Sequence, residues 1–146
     1  MGVWFARFIS ALGISVLFSA QADPIPVSPA ENLQAVLDNS QAGDQVVLSK
    51  GVYQGNFILS QSIELTGEKG AVLDGQNKGH ALQINQPLTY VHHLRIQNWG
   101  DDLTDMNAGI FVAKSAATSR IEHNYLHGGG FGIWVDATPD VQIISN

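Results

Sequence analysis

The sequence contains no cysteine, and its basic residues are few. Without cysteine the chain can form neither disulfide bonds nor thiolate metal sites, so packing and backbone hydrogen bonds have to stabilise the fold. Seven Lys and Arg residues stand against thirteen Asp and Glu residues, and the formal net charge is −6. A chain with this balance has no basic stripe for a phosphate backbone, which excludes nucleic acid as a partner.

The N-terminus has the pattern of a secretory signal peptide. Arg7 precedes an apolar run over residues 8–18, which is too short to span a bilayer comfortably. Ala20-Gln21-Ala22 then offers a signal-peptidase site. We predict cleavage after Ala22, so that residues 1–22 are a signal peptide and the rest of the chain is exported. An uncleaved membrane anchor is the alternative.

A short helix is predicted in the N-terminal segment, residues 23–44. Ser28 and Glu31 have the spacing of a capping box, in which Ser28 caps the helix and Glu31 reaches back to it. Apolar residues at helical spacing follow between 33 and 37, and Gly43 should end the helix. A helix in this place can cover the open end of a solenoid.

Short apolar runs interrupted by Gly, Asn and Asp fill residues 45–146. One kind of unit recurs with a final Asn, at Asn98, Asn124 and Asn146. An Asn side chain at a corner can form hydrogen bonds with turn backbone that would otherwise lack a partner. We therefore predict that these three residues are structural and occupy equivalent corners.

A second kind of unit carries glycine close to its strand, in residues 79–84, 107–112 and 131–135. Gly109 and Gly132 lie 23 residues apart, and a repeat of this length with several short strands has no room for a helix. The second unit therefore has the length of one coil of a β-helix.

The repeats predict an all-β fold, a right-handed single-stranded parallel β-helix of the pectate-lyase type. Each coil stacks on the previous one, so its strands pair in parallel with their counterparts. Residues 23–44 would form the N-terminal segment with the capping helix, and residues 45–146 would form the first coils. An antiparallel β-sandwich is the alternative, although a sandwich gives no reason for turn Asn residues at a constant spacing.

Residues 99–106 depart from the repeat, and extra residues in a solenoid leave the coil as a loop. We predict that this loop binds a partner protein through Trp99, Asp101, Asp102, Asp105 and Met106. The alternative is a solvated acidic loop whose Trp99 folds back onto the coils.

Histidine is the main candidate for metal binding in a chain without cysteine. His123 and His127 together with Met106 are our candidate ligands for a cuprous ion, which accepts soft ligands. On an extended strand the two His residues would be about 13 Å apart, so a turn would have to bring them together. Each of them is otherwise structural or simply exposed. We find no catalytic base and no nucleophile with an orienting partner.

Residues 70–80, 96–112 and 131–134 resemble NosD, the family of maturation proteins of nitrous oxide reductase, and the loop sequence Asp-Leu-Thr-Asp-Met at 102–106 is the most specific part. The resemblance implies a non-enzymatic periplasmic accessory protein. It implies work with the ATPase and membrane subunits of an ABC transporter in assembling the copper-sulfur centre of nitrous oxide reductase, and copper ion as a possible ligand. Family members continue for several more coils, so we expect that this chain is truncated at its C-terminus.

An exported β-helix enzyme or binding module that acts on polysaccharide is the alternative function. A lyase or hydrolase of this kind needs carboxylates and a base along one face of the coils. Carboxylates are present, among them Asp74, Asp136 and Asp140, but they stand at predicted corners where Asp commonly forms turns. Neighbouring genes or further sequence would separate the two functions.

Overall fold

The structure, a computed structural model, describes residues 22–146 and confirms the parallel β-helix. It has about five turns and a single helix. The elements are β1 (Ile25–Val27), α1 (Leu33–Asn39), β2 (Gln45–Leu48), β3 (Gly51–Gln54), β4 (Phe57–Leu59), β5 (Glu64–Gly67), β6 (Ala71–Asp74), β7 (Leu82–Ile84), β8 (Tyr90–His92), β9 (Arg95–Gln97), β10 (Ala108–Val112), β11 (Arg120–Glu122), β12 (Tyr125–His127), β13 (Phe131–Val135) and β14 (Gln142–Ile144).

The predicted signal peptide lies outside the described residues, apart from Ala22. Between residues 22 and 146, no helix is long and apolar enough to cross a membrane.

Three parallel sheets run along the stack. Sheet A has the order β1-β2-β5-β8-β11-β14, sheet B the order β3-β6-β9-β12, and sheet C the order β4-β7-β10-β13. Between residues 45 and 135, each of four complete coils gives one strand to each sheet, and each strand pairs in parallel with the corresponding strands of the neighbouring coils. The last strand, β14, begins a fifth turn. The first strand of sheet A, β1, belongs to the N-terminal segment and pairs with β2.

The core consists of apolar columns that run through the centre of the stack. In sheet A the column of Val46, Leu65, Val91 and Ile121 is fully buried. Such columns form because alternate side chains of each strand point inward and the parallel register places them above one another. Burial of each large side chain contributes about 1.5–3 kcal/mol relative to exposure.

The structure confirms the prediction made from one kind of repeated unit and corrects the prediction made from the other. The glycine unit is confirmed, since Leu82, Ile110 and Ile133 occupy one register position in sheet C. The grouping of the Asn unit is wrong for Asn98, which follows β9 in sheet B, whereas Asn124 follows β11 in sheet A. An apolar alternation that ends in Asn suits the end of a strand in either sheet, so the pattern does not distinguish the two corners.

Asn124 is buried and bridges three successive coils. Its Oδ1 accepts a hydrogen bond from the amide of Leu94 at 3.1 Å, and its Nδ2 donates to the carbonyl oxygen of Val91 at 3.1 Å. The same Nδ2 donates to Oδ1 of Asn146 at 3.0 Å. The structural role predicted for Asn124 and Asn146 is therefore confirmed.

The predicted helix exists, but its cap is Asn32 and not Ser28. The side chain of Asn32 accepts from the amide of Ala35 at 3.1 Å, and α1 begins at Leu33. The amide of Ser28 donates to Glu31 Oε2 at 2.7 Å, which closes a separate turn before the helix. Asn32 has extended backbone, so the helical hydrogen-bond pattern cannot begin earlier.

The helix covers one end of the stack, as the sequence predicts. Leu33 and Leu37 on α1 are buried in the core. Gln34 forms two hydrogen bonds with edge strand β4: its Nε2 donates to the carbonyl oxygen of Ile58 at 3.0 Å, and its Oε1 accepts from the amide of Ile58 at 2.9 Å. A side-chain amide thus takes the place of a neighbouring strand and satisfies an exposed sheet edge.

Candidate functional site

The predicted partner-binding loop lies at the corner between sheets B and C, between β9 and β10. Trp99 is only 4% exposed and folds back onto the coils, so its indole is not available to bind a partner, and the contact role predicted for this residue is wrong. The ring packs on glycine backbone of its own coil and of the next one: a Cβ atom at Gly128, in the next coil, would lie 2.7 Å from the indole, and one at Gly109, in β10 of the same coil, would lie 2.9 Å from it. Only glycine permits this close approach.

The carboxylates of the loop have different surroundings. Asp102 Oδ1 accepts from the amides of Thr104 at 2.8 Å and Asp105 at 3.1 Å, which folds the loop internally. Asp101 and Asp105 are exposed, and Met106 is half-buried. The free carboxylates of Asp101 and Asp105 are therefore the loop groups best placed to meet a partner.

An aromatic strip lies on the outer face of sheet C. Phe111 and Trp134 are neighbours in the parallel register, and both are half-buried. The imidazole of His80 stacks on Phe111 with ring centroids 4.3 Å apart, and Phe131 lies 4.7 Å from Trp134. The sequence analysis missed this strip, although strict alternation in β10 and β13 would have placed Phe111 and Trp134 outward.

His80 connects the aromatic strip with the loop. The amide of Ala108 donates to His80 Nδ1 at 3.2 Å, so the neutral ring carries its proton on Nε2. Burial lowers the pKa of His80 below its ordinary value, while the charge of Asp105 in the loop acts in the opposite direction. Burial has the larger effect, and His80 is neutral at pH 7.

The three candidate copper ligands do not share one position. His123 and His127 are exposed and lie at opposite ends of β12: His123 is at the corner between sheets A and B, whereas His127 is the last residue of the strand, at the corner between sheets B and C where Met106 also lies. Within residues 22–146, no three His, Asp or Glu side chains form a group that could hold a metal ion. Copper binding by these residues remains a prediction.

Imidazoles of successive coils meet instead at the corner between sheets A and B. His93 and His123 lie with ring centroids 5.4 Å apart. His92 Nδ1 is 2.6 Å from His93 Nδ1, and His92 Nε2 is 2.8 Å from Glu64 Oε1. The chain of contacts from Glu64 to His123 spans three coils.

Two carboxylates that could have served an enzyme accept hydrogen bonds from neighbouring side chains of the β-helix. Asp74 accepts hydrogen bonds from Gln97 Nε2 at 3.0 Å and from Asn98 Nδ2 at 2.8 Å, which hold the pKa of Asp74 below its ordinary value. Glu122, 6% exposed, accepts hydrogen bonds from the hydroxyl of Tyr90 and from Arg120 Nε. These two acids serve the fold, which fits the turn-forming role expected for Asp74.

Comparison with known proteins identifies relatives over nearly the whole chain. A protein of Stutzerimonas stutzeri named probable ABC transporter binding protein NosD is 34% identical over 142 residues, which are 97% of this chain and 32% of that protein. A protein of the same name from Pseudomonas aeruginosa PAO1 is 38% identical over 136 residues, 93% of this chain and 30% of the relative. A third, from Pseudomonas aeruginosa, is 35% identical over 94 residues, which are 79% of that relative.

The chain belongs to the NosD family. The resemblance stated from the loop and the coils is therefore confirmed. The chain spans about a third of the length of the first two NosD relatives. No family model and no solved structure matches it.

A titration tests the surroundings of His80 in this NosD chain. We expect His80 to titrate below about pH 6.5, because burial disfavours the charged ring. Its contribution to stability is complete above that pH and is lost as pH falls through the folded pKa. NMR of the ring protons gives the midpoint, and chemical denaturation at several pH values should show a steeper acid loss for wild type than for His80→Gln. A midpoint at or above 6.5 would contradict the assignment.

Proposed function

We propose that this chain belongs to an exported accessory protein of an ABC transporter that assists assembly of the copper-sulfur centre of nitrous oxide reductase. The observation that carries the proposal is its similarity, over 97% of its length, to a protein named ABC transporter binding protein NosD. The loop with Asp-Leu-Thr-Asp-Met at 102–106, which resembles the family most specifically, supports it. The role is one of binding and assembly in the periplasm.

The partner surface in this proposal consists of the loop and the aromatic strip beside it. Asp101 and Asp105 supply exposed negative charge, and Leu103 is 62% exposed between them. Phe111 and Trp134 add half-buried aromatic area on the neighbouring face. A polar rim next to an aromatic centre is the usual composition of a protein interface. We propose that this surface meets the transporter subunits or the reductase.

Copper is cargo in this proposal. The imidazoles of His123 and His127 are exposed, and the thioether of Met106 is half-buried. These donors suit cuprous ion, but His123 lies at the opposite end of β12 from His127, so a partner protein would have to complete any coordination shell. Loss of copper binding to the purified chain in the variants Met106→Leu, His123→Gln and His127→Gln would identify the donors that take part.

Cells that lack the full-length gene test the function. We expect them to make nitrous oxide reductase without the spectrum of its copper-sulfur centre, and wild type to restore the centre. The double variant Asp101→Asn and Asp105→Asn removes two of the three exposed acidic charges of the loop and leaves Asp102 and Trp99 in place, so it should fold. We expect it to restore about a tenth of the activity or less, since loss of about 1.4 kcal/mol of binding energy already lowers affinity tenfold.

The matched control removes two acids from another corner, by Asp136→Asn and Asp140→Asn, and it should restore full activity. Western blots must show equal amounts of all three proteins in the periplasm. A centre that assembles normally without the gene contradicts the proposed function. Full restoration by the loop variant contradicts only the assignment of the surface.

A further inference from the structure

A groove runs along the corner between sheets A and B, on a different edge of the stack from the loop. It has a volume of about 580 Å³, within the range of sites for small ligands. It spans three coils and is lined by Glu68, Lys69, His93, Arg95, His123 and Tyr125. Leu94 and Ala71, both buried, lie at its floor.

The cations of this groove have no carboxylate partner among residues 22–146. The ion pairs there are His92 with Glu64 and Arg120 with Glu122, and neither includes Lys69 or Arg95. Glu68, the one acid that lines the groove, accepts a hydrogen bond from the backbone amide of Lys50 at 3.2 Å. In a chain with a net charge of −6, two unpaired cations in one groove form a local positive site.

Arg95 is held in position before any ligand arrives. Its Nε donates to Gln97 Oε1 at 3.1 Å, and its guanidinium carbon lies 5.2 Å from the ring centroid of Tyr125. The hydrogen bond uses Nε and leaves the two terminal nitrogens as donors. A guanidinium fixed in this way loses little side-chain entropy on binding and can hold two oxygens of one anion.

We infer that this groove binds an oxyanion, a ligand with a carboxylate, sulfate or phosphate group. Arg95 binds the charged oxygens as a fork, and Lys69 adds a second positive charge from the preceding coil. The exposed ring of Tyr125 and the imidazoles of His93 and His123 contact the body of the ligand. The site is separate from the proposed partner surface and does not depend on it.

Isothermal titration of the purified chain tests the site with three probes, sodium sulfate, sodium phosphate and sodium galacturonate, against sodium chloride at equal ionic strength. We expect saturable binding of at least one probe with a dissociation constant of about 1 mM or tighter. Arg95→Gln and Lys69→Gln should each weaken it about tenfold, and Arg95→Lys should recover only part of the loss because it lacks the fork. The probe that binds best distinguishes a free inorganic ion from an acidic sugar.

Lys114→Gln is the matched control, since it removes the same charge from an exposed position outside the groove. It should leave binding unchanged, and circular dichroism should be the same for every variant. Heats no larger than those of chloride with all three probes would overturn the inference. An equal loss in Lys114→Gln would overturn it as well, because binding would then follow net charge alone. Neither outcome bears on assembly of the reductase.

Discussion

Replacing Trp99 with Ala is expected to lower the free energy of unfolding by about 3–5 kcal/mol, the usual loss for a large aromatic ring removed from a core. The ring is 4% exposed and fills the space above Gly128 and Gly109. Its loss should also free the loop at 100–106, which begins at this anchor. Urea denaturation gives the free energy, and hydrogen exchange of the loop amides reports its release.

Two variants serve as controls for this result. Trp99→Phe should cost far less, because it keeps most of the ring and removes an indole N–H that is buried without a partner in the described structure. Trp134→Ala removes a half-buried ring from the outer face of sheet C and should leave loop exchange unchanged. A loss below about 1 kcal/mol in Trp99→Ala would contradict the anchoring role.

Replacing Asn124 with Ala is expected to destabilise the protein by about 2–5 kcal/mol, because each buried backbone group left without a partner costs about 1–3 kcal/mol. The variant deprives the amide of Leu94 and the carbonyl group of Val91 of their side-chain partner. Both groups lie between coils, where water cannot easily replace Asn. Chemical denaturation measures the loss.

Asn39→Ala is the matched control, since Asn39 is exposed and its side chain donates only to the carbonyl oxygen of Ala35 within the helix. It should change stability by less than about 0.5 kcal/mol. Asn124→Asp separates the two halves of the amide, because it keeps the acceptor for Leu94 and places a second acceptor opposite Val91. Stability of Asn124→Ala equal to that of the control would show that the bridge does not hold the coils together.

The fold could be predicted because a parallel β-helix repeats its pattern at the length of a coil. Ile110 and Ile133 each follow a glycine directly and lie 23 residues apart, and they pair in the register of sheet C. Asn98 shows the limit of the method, because an Asn at the end of a strand looks the same in sheet A and sheet B. Ser28 shows a second limit of the method, because both Ser28 and Asn32 are residue types that can cap a helix. In the structure Glu31 closes a separate turn with Ser28, so the helix is capped by Asn32.

The candidate site could be predicted only in part. The loop was recognisable as an interruption of the repeat, but burial of Trp99 depends on Gly128 in the next coil, which no local pattern connects with it. The stacking of His80 on Phe111 also joins residues that are distant in the sequence, and it depends on the lengths of the corners between them. Which residues of two coils meet depends on the register of their strands. That register can be read from the sequence only after the bounds of every strand, and so the length of every corner, are known.

The corners of the solenoid differ in how much change they accept. Between sheets A and B the connecting segments stay short: 49–50, 68–70, 93–94 and 123–124. Between sheets B and C they vary widely: 55–56, 75–81, 98–107 and 128–130. Evolution can therefore lengthen or replace a segment at the second corner without moving a strand, and a foreign peptide grafted between Gly100 and Met106 should be displayed on an intact scaffold.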